Sequence, residues 1–91
     1  MIKLHLFSGW ESERLRIKRD DLLGHLYSDS DPDELMEAAK LVGLNPHYLQ
    51  NSRGFYHFDL WGSPLEKARQ HYKIVTNREI YSDMKAMNRG R

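Results

Sequence analysis

Two pairs of residues in this sequence have the types that chemistry needs: His57-Phe58-Asp59, and His25 with Asp29 four positions on. An imidazole beside a carboxylate is a general base with its orienting acid. Two of each could also ligate a divalent ion or activate a water. Neither spacing is a specific metal-ligand signature, so the sequence assigns no metal site and names no cofactor. Local structure uses the same residue types, with His57 half-buried on a backbone partner, Asp59 as a turn or cap acceptor, and His25 and Asp29 fixing a loop. A second set suits anions: Ser63 and Thr76 stand at expected helix starts and Arg78 follows, so free N–H groups, helix dipoles and a guanidinium could hold a phosphate or carboxylate. Helix capping alone also accounts for Ser63 and Thr76. A third set is the basic block Arg14, Arg16, Lys18 and Arg19 with Trp10 nearby. It is material for a nucleic-acid or partner surface, or for a solvated edge strand that resists pairing.

The elements that position these residues follow from periodicity. Phe55 to Leu60 alternates as a strand, sending Phe55, His57 and Asp59 to one face and Tyr56, Phe58 and Leu60 to the other. Gly62 breaks it, and Ser63-Pro64-Leu65-Glu66 reads as a capping box that opens a helix. Lys73-Ile74-Val75 is a short strand. Thr76 to Glu79 repeats the box and opens a last helix, with Ile80, Met84 and Met87 inward and Lys85, Arg89 and Arg91 towards its end. Two strands joined through such a helix must run parallel, with a right-handed crossover.

Upstream, Ile2, Leu4 and Leu6 alternate with Lys3, His5 and Phe7 as an opening strand with one buried face. The pattern predicts an edge strand over Arg14 to Arg19. It predicts a short helical turn over Asp20 to Tyr27, where Leu22, Leu23 and Leu26 are broken by Gly24. Asp31 caps the clearest helix, with Pro32 in its first turn, Glu34 completing a box, Leu35, Ala38, Ala39 and Val42 as its apolar stripe, and Gly43 at its end. Asn45-Pro46 starts a further turn, and residues 51–54 form a loop. The expected architecture is one small α/β domain over residues 1–91, with a short, mainly parallel sheet of three to four strands and three main helices. In such a sheet ligands collect beyond the carboxyl ends of the strands, here near Trp10, Trp61 and Thr76.

Composition narrows the class. A chain of 91 residues buries roughly 60 to 65 per cent of its unfolded surface. With no cysteine there is no disulfide, thiolate nucleophile or cysteine zinc site, and a reducing cytoplasm is the natural compartment. No run is long enough to span a membrane, and Met1 to His5 lacks the apolar core of a signal peptide. The net charge of +1 does not describe a general polyanion binder, but it is unevenly spread between the basic block and an acidic run from Asp29 to Glu37.

Five short stretches, His25-Leu26-Tyr27-Ser28-Asp29, Asp33-Glu34-Leu35, Gly43-Leu44-Asn45-Pro46, His57-Phe58-Asp59 and Arg78-Glu79-Ile80, resemble in order and spacing the motifs of a bacterial and phage family, domain of unknown function 4031. That family carries no established activity. The resemblance implies a compact bacterial or phage domain and singles out His25, Asp29, His57, Asp59, Arg78 and Glu79. This chain departs from the pattern at the end of its first strand, where Phe7-Ser8-Gly9 stands in place of an aspartate, and in a longer arginine-rich segment. The favoured expectation is a binding domain that contacts nucleic acid or a nucleic-acid-associated protein through its basic segment and strand ends. The alternatives are a metal-dependent phosphoesterase or nuclease using His25, Asp29, His57 and Asp59, and a phage inhibitor that binds a host protein.

Overall fold

The computed structural model describes residues 1–89 by their backbone and 1–87 by their side chains, so the cations expected at Arg89 and Arg91 lie outside the described side chains. Its strands are β1 (Ile2–Phe7), β2 (Leu23–Ser28), β3 (Gln50–Ser52), β4 (Phe55–Leu60) and β5 (Lys73–Val75). Its helices are α1 (Pro32–Leu41), α2 (Gly62–His71) and α3 (Asn77–Arg89), with a 3₁₀ turn at Pro46–Tyr48. The strands form one sheet in the order β3-β4-β2-β1-β5. Only the β1–β5 pair is parallel; β1–β2, β2–β4 and β3–β4 are antiparallel. The expected α/β class and three helices are present, but the sheet is mixed, mostly antiparallel and larger than expected. The strands flanking α2 do run in the same direction, as the crossover argument requires, yet β2 and β1 lie between them.

The antiparallel character comes from two stretches whose periodicity misleads. The expected helical turn before Tyr27 is β2, buried through most of its length at the middle of the sheet. Its Gly24 passes under α2: a Cβ there would lie 2.8 Å from Leu65 Cδ1 and 2.9 Å from Leu4 Cδ1. The expected loop at residues 51–54 is instead the end of β3, at Asn51 and Ser52, and the two-residue turn of a β3–β4 hairpin, with Arg53 and Gly54 both at positive φ. The expected edge strand over Arg14 to Arg19 is a tight turn closed by the Ser12–Ile17 bridge, with 2.9 Å backbone bonds in both directions. Its chain reverses through Arg16 at φ 58°. Arg14, Arg16 and Lys18 therefore do not line one strand face, and Ile17 alone anchors the turn in the interior.

Helix ends follow their chemistry in two cases of three. Asp31 caps α1 by accepting from the Asp33 N–H, and Thr76 caps α3 through a 3.1 Å bond from the Glu79 N–H. Glu34 does not close a box; it accepts from the Ser28 hydroxyl at 2.7 Å. Ser63 is not a cap, because α2 begins one residue earlier, after Trp61, without a side-chain cap bond. Gly43, at φ 81°, ends α1 as expected, with the Leu44 N–H reaching back to the Ala39 carbonyl at 2.9 Å.

The helices divide between the two faces of the sheet. Leu35, Ala38, Ala39 and Val42 of α1 and Leu65 and Ala68 of α2 pack on Ile2, Leu4, Leu26, Phe58 and Leu60. On the other face Ile80, Met84 and Met87 of α3 pack on Tyr27, Phe55 and Val75. That face is also held by a buried cation. Lys3 Nζ lies 3.2 Å from Asp29, 2.9 Å from Glu79 and 2.9 Å from Asp83, and the Tyr27 hydroxyl donates to Asp83 at 2.7 Å. The opening strand thus has both faces covered, which corrects the single buried face that its alternation suggests.

Candidate metal centre

Beside α3, the same face carries a row of polar side chains set by strand register. His5 of β1 pairs with His25 of β2, and His25 pairs with Asp59 of β4. His57 lies two residues along β4 and therefore on the same face. His25, His57 and Asp59 each turn a ligand atom to one point, all within 4.8 Å of one another. His25 Nε2 is 3.4 Å and His57 Nε2 is 3.7 Å from Asp59 Oδ1. Tetrahedral ligation at about 2.1 Å places ligand atoms about 3.4 Å apart, so these gaps suit an intervening ion.

The contacts behind these atoms define what they can do. His57 Nδ1 is 3.1 Å from the Phe55 carbonyl, which can only accept. The neutral imidazole therefore keeps its proton on Nδ1 and presents a bare Nε2. Gln50 Nε2 donates to Asp59 Oδ2 at 2.7 Å and orients the carboxylate. Asp59 Oδ1 is buried and has no hydrogen-bond donor. Behind His25, its Nδ1 lies 3.3 Å from His5 Nδ1, and His5 Nε2 contacts Asn77 Oδ1. The Phe7 ring stacks on His25 at 4.1 Å between centroids, and the His57 ring meets His25 edge-on at 5.4 Å. Burial lowers the His25 imidazole to about 4, against the pull of Asp59 and helped by His57 and His5, so it is neutral and able to ligate at pH 7. His57 is enclosed, whereas the side chains of His25 and Asp59 are 25% and 36% exposed.

The other expected site residues lie elsewhere. Asp29 is beyond the far end of β2, where it pairs with Lys3 and with the Met1 amino group. Ser63 and Thr76 begin helices on opposite faces of the sheet, after strands β4 and β5, which are separated by three inter-strand spacings of roughly 14 Å in all. They do not form a joint anion site, and the Thr76 hydroxyl is committed to its cap. Arg78 is exposed at the start of α3, and Glu79 faces Lys3. Trp10 is half exposed, Arg19 pairs with Glu11 at 3.2 Å, and Trp61 is a partly exposed helix cap. The sequence reading missed His5, Gln50 and Asn77; the His5 alternation with Leu4 and Leu6 was the one available signal.

Comparison with family models, curated proteins and solved structures finds no match to this chain. Of the motif residues behind the resemblance drawn above, His25, His57 and Asp59 meet in the cluster, and Asp29, Arg78 and Glu79 do not. No helix among the described residues is long and apolar enough to cross a membrane.

Proposed function

We propose that this protein binds one divalent ion of the zinc type through His25, His57 and Asp59, and is a small metal-dependent hydrolase of the phosphoesterase or nuclease kind. One observation carries the reading. A buried carboxylate oxygen without a donor faces two imidazole nitrogens at 3.4 and 3.7 Å. Such an oxygen costs about 1–3 kcal/mol when unmatched, and a cation removes that cost. Three protein ligands with an open fourth position are the arrangement of catalytic rather than structural zinc, and a bound ion there would bring a water near its deprotonation point at neutral pH. A substrate would approach from the side of His25 and Asp59, the two partly exposed members of the cluster.

Contact with nucleic acid through Trp10, Arg14, Arg16, Lys18 and Arg19 has less support, because Glu11 and Glu13 on one side of those cations and Asp20 and Asp21 on the other weaken their field. The test is titration with Zn²⁺ and Co²⁺, followed by a phosphodiester hydrolysis assay with each ion. One ion per chain is expected, with affinity falling at least about 100-fold in Asp59→Asn, since a charged ligand is lost. Binding that ignores Asp59→Asn would overturn the site.

A further inference from the structure

A ligating histidine needs its lone pair on the correct nitrogen, and in this fold that choice is made two residues away from the ion. We infer that His5 and Asn77 are positioning residues of the metal centre, fixing the proton of His25 on Nδ1 and so turning a bare Nε2 to the ion. The inference rests on the metal reading above. A chain of donors and acceptors begins at the first residue of α3.

Asn77 presents its Oδ1 to His5 Nε2, and an amide oxygen only accepts. His5 therefore carries its proton on Nε2, and its Nδ1 is bare in the neutral ring. That Nδ1 faces His25 Nδ1 at 3.3 Å. Two bare nitrogens at this distance repel, so His25 must donate from Nδ1. Its Nε2 is then unprotonated and lies 3.4 Å from Asp59 Oδ1 with no hydrogen bond between them. The ring planes agree, since His5 and His25 are 7° from parallel at 5.5 Å and Phe7 covers His25 at 16°. Both imidazoles of the cluster thus have a partner behind Nδ1: the Phe55 carbonyl for His57 and the His5–Asn77 pair for His25. Such partners orient a ligand and raise its basicity, and losing one typically costs 10- to 100-fold in metal affinity.

The placement of Asn77 also follows from the fold. His5 and Val75 are partners in the parallel β1–β5 pair, and Thr76 caps the helix that Asn77 begins. The helix start is therefore fixed beside the His5 ring by backbone register. A rotated Asn77 amide would reverse the whole chain, with Nδ2 donating to His5, His5 donating to His25, and His25 holding its proton on Nε2 against Asp59.

These two arrangements differ in an observable. Long-range nitrogen–proton NMR of the metal-free protein reads the His25 tautomer directly, and a chelator competition reads Zn²⁺ affinity. The wild type should show the Nδ1-protonated form. Asn77→Leu, which alters an exposed position and leaves the Thr76 cap in place, should mix the tautomers and weaken Zn²⁺ binding 10- to 100-fold, with its urea midpoint lowered only as far as the loss of one His5 hydrogen bond requires. An Nε2-protonated His25 in the wild type would overturn the inference, as would an Asn77→Leu protein that keeps both tautomer and affinity. A wild type that does not bind Zn²⁺ would instead remove the metal reading itself, which is a separate result.

Discussion

At the scale of the residue, Asp59 separates what the fold needs from what the site needs. Its Oδ1 is held without a donor, so the metal-free protein carries a local penalty. Asp59→Asn should raise metal-free stability by about 1 kcal/mol, because an amide can donate to the facing nitrogens and has no charge to desolvate. Zinc at about a thousand times the wild-type dissociation constant should add about 4 kcal/mol to the wild type and no more than about 1.4 kcal/mol to a variant that binds it about 100-fold more weakly. Urea midpoints with and without Zn²⁺ read both effects. His57 and Asp59 were legible as a same-face pair because strand alternation alone places them. His25 was selected with the wrong partner. Four residues bring His25 and Asp29 together on a helix, but along a strand they separate them by about 13 Å. His5 was hidden because its role depends on the His5–His25 register, a pairing twenty positions apart that no local pattern encodes.

At the scale of the element, β2 shows why the cluster was only half visible. Leu22, Leu23 and Leu26 mimic helical spacing, and Gly24 resembles a breaker in either structure. Its actual reason is steric, since a Cβ there would push on the ends of Leu65 in α2 and Leu4 in β1. Gly24→Ala should cost about 1–3 kcal/mol by overpacking Leu4 and Leu65, read as a lower urea midpoint. Full stability in that variant would mean the two leucines yield freely. The caps at Asp31 and Thr76 were legible because each is a contact within three residues, whereas β2 inserted between β1 and β4 is a long-range pairing. The basic segment failed as a strand for a local reason: its chain must reverse between Ser12 and Ile17, and Arg16 takes the left-handed conformation to do so.

Across the whole molecule, the Lys3 cluster ties α3 to the sheet and sets the response to acid. The Met1 amino group and Lys3 hold Asp29 below its usual range, and Lys3 with Lys73 does the same for Glu79. Both carboxyls are more acidic folded than unfolded, so their contribution is present above the unfolded value of about 4 and is lost as pH falls from there through the lower folded values. Thermal midpoints should therefore begin to drop below about pH 5 and go on dropping until the pH is below the folded values. In Lys3→Met that drop should shrink, after a loss of stability at neutral pH, because Asp83 is left without its cation while Asp29 keeps the Met1 amino group and Glu79 keeps Lys73. Gln50 has a further bearing at this scale. The side chain that steadies Asp59 belongs to β3, a three-residue strand exposed along its length at the rim of the sheet. Short rims fray at far lower free energy than the centre of a sheet. On the metal reading, ion residence time should then be governed by brief detachment of β3 from β4. Gln50→Ala should quicken Zn²⁺ release several-fold in stopped-flow chelation, while amide exchange in β1 and β2 remains slow, giving a centre that is rigid in the fold and yet exchanges its ion.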